Sequence, residues 1–315
     1  MTDPLDFIER TRSKVFFYIE SNIWSGIDHN RLNNWLSLFK NTSSQEEEYL
    51  AYTLLDKLVY YNKKDCLKLI ESGIYDLVVK DQVSLADEMA FFKAPEGRLN
   101  SLSKDLMSKL GFMTLTSIDE SETTASSRVI ARYLVHDLGI PERNIFDPEH
   151  LELALKKFDT IILIDDFIGS GSQIINFWYY QDVPFKKSVE KIGRLCLDEE
   201  VKIKYLCIVA SKQGISNFYG HGEMNNLVIH PCELIDESHD AFGPSSDSFE
   251  SEDDRIKYKR IFDQVCKRND IKSVGYDKNS FTIAFEHTIP DSSLPIFWQK
   301  RDTHLIRNKR TGKNE

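Results

Sequence analysis

The spacing of apolar residues divides the chain into a helical first part and a mixed second part. In roughly the first hundred residues, apolar side chains recur three and four positions apart, as on one face of a helix. The clearest such set is Leu32, Trp35, Leu36 and Phe39. Ser44 and Glu47 have the spacing of a capping box, which predicts a helix start. A further helix, "DCLKLIESG", is predicted to end at Gly73.

From about Gly111 onward, short apolar runs alternate with helical patterns. The run "FMTLTSI" predicts a strand. The run "TIILI" is continuous and β-branched, as in a strand buried on both faces, and "KIKYLCIVA" predicts a further buried strand. Helices are predicted between them, at Ser126–Leu138, Leu151–Phe158 and from Gly171 to about Tyr180. This alternation indicates βαβ units and a parallel sheet. We therefore predict an α/β domain over residues 98–300, preceded by a small helical domain (1–97) and followed by a basic tail (301–315).

The helical domain has two interpretations. Three helices with a tight turn could form a helix-turn-helix or winged-helix unit whose Asp65–Ser72 helix enters a nucleic-acid groove, helped by Lys63, Lys64 and Lys68. Alternatively, the helices form a small bundle that packs on its neighbour or on a partner protein. Asp65 and Glu71 dilute the positive charge of that helix, which favours the bundle.

Composition narrows the setting in which the protein works. The formal net charge of −10 disfavours broad binding to nucleic acids or to membrane surfaces. The start of the chain lacks the pattern of a signal peptide, and no segment approaches the roughly 20 apolar residues of a membrane span. The five cysteines are scattered and form no Cys-x-x-Cys pair, as expected of reduced thiols. We therefore expect a cytoplasmic protein without membrane contact.

Candidate chemistry is concentrated in the stretch "TIILIDDFIGSGSQ". Asp165 and Asp166 follow a buried strand, and ligands of open α/β sheets bind outside the carboxyl ends of the strands. Two adjacent carboxylates are suited to accept hydrogen bonds from vicinal hydroxyls or to hold a cation such as Mg²⁺. Gly169 and Gly171 permit close approach of a ligand, and the N-terminus of the next helix favours a phosphate. These features together predict a ribose-phosphate pocket.

This stretch resembles the signature of type I phosphoribosyltransferases, which is an apolar strand, two acidic residues and a loop of Thr, Ser and Gly. The resemblance implies that Asp165 and Asp166 bind the ribose hydroxyls, and Mg²⁺ at this pair is a possible cofactor. It also implies that the 5-phosphate of phosphoribosyl pyrophosphate or a nucleotide is bound by Ile168, Gly169, Ser170, Gly171, Ser172 and Gln173. Family loops usually carry Thr at the positions of Gly169, Ser170 and Gln173, and the longer Gln173 would crowd the phosphate.

The family places a pyrophosphate-binding turn after its first strand, which corresponds here to Thr116–Arg128. Ser126 and Arg128 are the candidate ligand-binding residues, and Arg132 lies one helical turn further on. The acidic residues of this turn disfavour pyrophosphate unless Mg²⁺ bridges them. The alternative is a plain helix cap followed by two solvated arginines.

A second stretch, "FEHTIPDSSLPIFW" at residues 285–298, resembles the ending of phosphoribosyltransferase-like proteins of bacterial conflict and antiviral defence systems. Such proteins often carry a winged-helix-like N-terminal region, and some are encoded beside retron reverse transcriptases. The resemblance implies a partner protein or its nucleic acid. The stretch itself either closes the core or lines the ligand pocket through His287, Asp291 and Trp298.

Three functions follow as hypotheses. The protein could be an enzyme, a phosphoribosyltransferase or a nucleotide glycosidase, that acts through an oxocarbenium-like state at ribose C1. It could be a non-catalytic sensor of a nucleotide or a phosphoribosyl compound. It could also be an adaptor that binds a partner protein or nucleic acid, such as a retron reverse transcriptase complex.

Overall fold

The computed structural model describes residues 3–40, 45–79, 109–115, 126–158, 160–198, 202–223 and 226–307. The chain forms two compact units, Met1–Lys64 with Ile235–Glu315 and Asp65–Leu234. We call the first the terminal unit and the second the central unit. The boundaries of these units differ from those of the predicted domains 1–97, 98–300 and 301–315, because the C-terminal segment packs with the N-terminal helices. The predicted domain boundaries stay a prediction.

The helices, in chain order, are α1 (Pro4–Glu20), α2 (His29–Leu36), α3 (Gln45–Asp56), α4 (Lys63–Ile74), α5 (Ser126–Arg132), α6 (Leu151–Lys157), α7 (Ser172–Ile175), α8 (Ile192–Asp198), α9 (Lys212–His221) and α10 (Glu252–Asn269). The strands are β1 (Val59–Tyr61), β2 (Gly111–Thr114), β3 (Ile145–Phe146), β4 (Thr160–Ile168), β5 (Asp182–Phe185), β6 (Ser188–Lys191), β7 (Lys202–Ser211), β8 (Val228–Ile235) and β9 (Ile283–Phe285). Helices α4, α5 and α7 continue as π-helical segments at Tyr75–Val79, Tyr133–Asp137 and Asn176–Tyr180.

The central unit is built around a five-stranded sheet with the order β3-β2-β4-β7-β8. Strands β3, β2, β4 and β7 run parallel to one another. Ile161 to Ile164 of β4 are all buried, which explains why this strand is apolar on both faces. The prediction of an α/β fold with a mostly parallel central sheet is confirmed. The antiparallel hairpin of β5 and β6 had no counterpart in the prediction.

The terminal unit has its own core, formed by α1, α3 and α10 together with the C-terminal segment. Strand β1 pairs in parallel with β9. Trp35 stacks on Phe297, with ring centroids 5.6 Å apart, and donates a hydrogen bond to the Ile296 carbonyl at 2.9 Å. The described contacts of the stretch at 285–298 are therefore those of a segment that closes a core. A winged-helix unit stays a prediction.

No helix among the described residues is long and apolar enough to cross a bilayer.

Candidate functional site

The acidic pair lies inside strand β4, because this strand continues to Ile168. The prediction that the strand ends before Asp165 is wrong. Successive side chains of a strand point to opposite faces, so the two carboxylates diverge instead of standing side by side. Both are buried, with 1% of Asp165 and 5% of Asp166 exposed.

Asp165 faces a buried polar cluster on the neighbouring strand β7. The Tyr205 hydroxyl donates to Asp165 Oδ2 over 3.5 Å, and Cys207 stands opposite Asp165 in the parallel register. Burial, and after it the charge of Asp165, holds the pKa of Tyr205 and of Cys207 well above their ordinary values. These neighbours are therefore neutral, and Tyr205 serves as a hydrogen-bond donor to the carboxylate.

Between β4 and α7 the chain turns through Gly169, Ser170 and Gly171. Gly171 has left-handed backbone angles, φ 84° and ψ −4°, which an L side chain rarely adopts. The hydroxyls of Ser170 and Ser172 are 2.9 Å apart, and the Ser172 N–H donates to Ser170 Oγ at 3.4 Å. Gln173 is exposed in the first turn of α7. We refer to Gly169–Ser172 as the glycine-serine loop.

Helix α9 supports this loop from one side. The Ser211 hydroxyl caps the helix by accepting the Gly214 N–H at 2.9 Å, and it donates to the Gly169 carbonyl. One and a half turns later, Asn217 Nδ2 donates to the Ser170 carbonyl at 3.0 Å. Two successive carbonyl groups of the loop are therefore bound by α9 and its N-cap residue Ser211.

The direction of these carbonyls sets the direction of the loop amides. In a trans peptide, the carbonyl of one residue and the N–H of the next point in opposite directions. Because the Gly169 and Ser170 carbonyls are turned toward α9, the N–H groups of Ser170 and Gly171 point away from it. Successive N–H groups aimed to one side of a glycine turn form a concave site that favours an anion.

The loop and α9 touch through glycines. A Cβ atom on Gly214 would overlap the Gly169 carbonyl oxygen, and one on Gly171 would overlap the Gly214 carbonyl oxygen. Sequence reasoning missed Ser211, Gly214 and Asn217. The available signal was the Ser-x-x-Gly spacing directly after a buried strand, which marks a capped helix at the same edge of the sheet.

Strand β2, which precedes the predicted pyrophosphate-binding turn, pairs with the acidic strand β4. Thr114, the last residue of β2, is paired with Ile164, so the chain leaves β2 beside Asp165. Residues 116–125 of the predicted turn lie outside the described residues. Helix α5, which packs on β2 and β4, begins at Ser126 and carries Arg128, which is half-buried. Their role in ligand binding stays a prediction.

In the part of the chain that the structure describes, no group of three or more His, Cys, Asp or Glu side chains is placed to hold a metal ion. The diverging carboxylates of Asp165 and Asp166 do not fit one Mg²⁺ shared by both. Mg²⁺ is usually held by one or two carboxylates together with ligand phosphates and water. The predicted Mg²⁺ at Asp165 or Asp166 stays a prediction.

A mostly parallel sheet with an acidic pair in its middle strand, followed by a glycine-serine loop, is consistent with a phosphoribosyltransferase-like protein. Comparison with family models supports this class: the model of the PRTase-CE family matches residues 32–308, and the chain belongs to this family. The match begins inside α2 and covers parts of both compact units. None of the curated proteins compared with the chain matches it significantly.

Proposed function

We propose that the protein is a phosphoribosyltransferase-like effector that binds a phosphoribosyl compound or a nucleotide at the acidic pair and the glycine-serine loop. The observation that carries the proposal is the orientation of the loop. Ser211, which caps α9, and Asn217 of α9 bind the carbonyls of Gly169 and Ser170, so the N–H groups of Ser170 and Gly171 would face a 5-phosphate on the other side. The ribose would then extend from the loop toward β4 and its carboxylates.

Each group has a defined task in this proposal. The carboxylate of Asp166, on the face of β4 opposite Tyr205, accepts hydrogen bonds from the ribose hydroxyls. The loop amides anchor the 5-phosphate. When the bond at ribose C1 breaks, positive charge develops on the ring, and a nearby carboxylate stabilises it. Pyrophosphate leaves when a base is added, or a base leaves when water attacks. Mg²⁺, held by one carboxylate, would neutralise charge on ligand phosphates.

A second candidate is a sensor or adaptor without turnover, which binds the same ligand and passes the signal to a partner protein or nucleic acid, such as a retron reverse transcriptase complex. The burial of Asp165 against Tyr205 favours this candidate, because it commits one carboxylate of the pair to a contact within the sheet.

The experiment is a titration of phosphoribosyl pyrophosphate, ribose 5-phosphate and AMP by isothermal calorimetry, with and without Mg²⁺. Asp166→Asn should weaken binding about tenfold or more, because hydrogen bonds to a charged group contribute about 1.5–3 kcal/mol. The double variant Asp165→Asn/Asp166→Asn should abolish binding. Asp182→Asn is the matched control, since this exposed carboxylate on β5 pairs with Lys191 at the surface. Binding that survives the double variant would refute the proposed pocket.

Turnover separates the two candidates. Release of pyrophosphate or of free base by the wild type, lost in the double variant, supports the enzyme. Binding without release over hours supports the sensor.

The wider part of the proposal is a cytoplasmic role in bacterial antiviral defence, supported by the resemblance at residues 285–298. Phage plating on cells that express the wild-type protein, or the Asp165→Asn/Asp166→Asn variant, tests it. Protection that is lost in the variant supports the role, and equal plating on cells with and without the wild-type protein contradicts it.

A further inference from the structure

The peptide group between Ser170 and Gly171 has two possible orientations. Gly171, with φ 84° and ψ −4°, has the backbone angles of the third residue of a type II turn. A type I turn has about −90° and 0° at the same position. The two turns differ mainly in the direction of the peptide group between their second and third residues. That direction decides whether the ligand side of the glycine-serine loop meets the Gly171 N–H or the Ser170 carbonyl oxygen.

Gly171 does not select one orientation by itself, because glycine populates positive and negative φ about equally. A larger residue that would prefer one sign of φ does not fit here, since a Cβ atom would overlap the Gly214 carbonyl oxygen. The choice between the two orientations is therefore left to contacts from outside the loop.

Asn217 makes such a contact from helix α9. Its Nδ2 donates to the Ser170 carbonyl at 3.0 Å, and Gln213 Nε2 donates to its Oδ1 at 2.7 Å. A carbonyl oxygen can only accept, so the Asn217 amide has to present its nitrogen to the loop. Its oxygen is then turned to Gln213, one helical turn earlier. Two hydrogen bonds in series hold the Ser170 carbonyl on the side of α9.

We propose that Asn217 is a positioning residue that selects the orientation in which the Gly171 N–H faces the ligand, and that Gln213 orients the Asn217 amide. Without this donor, part of the population has the flipped peptide and presents the Ser170 carbonyl oxygen to the ligand. Affinity for a phosphate falls with the fraction of the competent orientation. The part of the proposal that concerns phosphate rests on the function proposed above, and the orientation of the peptide does not.

NMR of the full chain with isotope-labelled serine and glycine tests the orientation without any ligand. In the observed turn the Gly171 amide proton is close to the Ser170 α proton, and in the flipped turn it is close to the Ser170 amide proton. Asn217→Asp, which is nearly isosteric, replaces the donor by an acceptor. We expect the nuclear Overhauser contact of Gly171 to move from the first proton to the second. Ser216→Asp adds the same charge at an exposed neighbour on α9 and should keep the wild-type contact.

Calorimetry with ribose 5-phosphate tests the consequence for binding. Asn217→Ala should weaken binding about fivefold, which corresponds to one neutral hydrogen bond of about 1 kcal/mol. Asn217→Asp should weaken it about tenfold or more, and Ser216→Asp less than twofold.

The proposal is overturned if Asn217→Asp keeps the wild-type contact of Gly171 in the NMR experiment. It is also overturned if the wild type binds ribose 5-phosphate and Asn217→Asp binds it as tightly, or if Ser216→Asp weakens binding as much as Asn217→Asp does. If the wild type binds no phosphate compound, the proposed function fails, and the NMR experiment still decides the role of Asn217.

Discussion

Gly214 is the position where one methyl group should damage the candidate site most directly. In Gly214→Ala, the new Cβ would overlap the Gly169 carbonyl oxygen and would lie 2.8 Å from Ile168 Cγ2 and 3.0 Å from Ser211 Oγ. The side chains could shift, but the carbonyl belongs to the backbone of the glycine-serine loop. The loop and α9 must therefore move apart.

The expected magnitude follows from this displacement. Overpacking of this kind costs about 1–3 kcal/mol. The bonds from Ser211 to Gly169 and from Asn217 to Ser170 would lengthen as the loop moves, and each neutral hydrogen bond contributes about 1 kcal/mol. We expect the free energy of unfolding to fall by about 2–4 kcal/mol. Affinity for ribose 5-phosphate should fall by more than the loss of stability explains, because the N–H groups of the loop would no longer point to the same side.

Urea unfolding followed by circular dichroism measures the free energy of unfolding, and calorimetry with ribose 5-phosphate measures the ligand affinity. Gly220→Ala is the matched control, since it lies on the same helix with nothing within 4 Å of its added Cβ. Alanine is favoured over glycine in a helix by up to about 1 kcal/mol, so the control should be neutral or slightly more stable. If Gly214→Ala unfolds and binds like Gly220→Ala, the proposed contact between α9 and the loop is wrong.

Two further predictions concern the cores. Trp35→Phe removes the donor to the buried Ile296 carbonyl and should lower the free energy of unfolding by about 1–3 kcal/mol in urea; an unchanged unfolding midpoint would contradict this. Burial raises the pKa of Cys196 to about 12 from an ordinary 9.0, so native Cys196 should resist iodoacetamide at pH 8 and react in urea. Because the pKa of Cys196 is higher in the folded state, the contribution of this thiol to the free energy of unfolding is complete below pH 9 and is lost toward pH 12. The loss is about 1.4 kcal/mol per pH unit. Cys196→Ala should therefore reduce the fall of the free energy of unfolding between pH 9 and pH 12.

The central sheet was predictable because its strands are buried on both faces. Burial on both faces produces a continuous apolar run, and "TIILI" and "KIKYLCIVA" became β4 and β7. The pairing of β1 with β9 was not predictable in the same way. Its partners are more than two hundred positions apart, and each strand has three residues. Strands this short carry too few side chains for a periodic pattern.

The glycine-serine loop was predicted, but its contact with helix α9 was not. A local pattern of small residues after a strand is visible in the sequence, and it indicated the loop correctly as a turn between β4 and α7. The contact with Ser211 and Gly214 depends on β7 lying next to β4, which is a property of the strand order and not of any local stretch. Tyr205 was missed for the same reason, since it reaches Asp165 only across the sheet.

The extension of β4 past Asp166 changes what the acidic pair can do. Two carboxylates placed after a strand could turn together toward one ribose, as the resemblance implies. Within a strand they diverge, and Asp165 is directed to Tyr205 on β7. If the pair nevertheless binds both hydroxyls of one ribose, β4 must unpair at its end when ligand enters. In that case Asp165→Asn and Asp166→Asn should weaken binding equally, and their effects should not add because both act on one rearrangement. If β4 stays paired, Asp166→Asn alone should account for most of the loss.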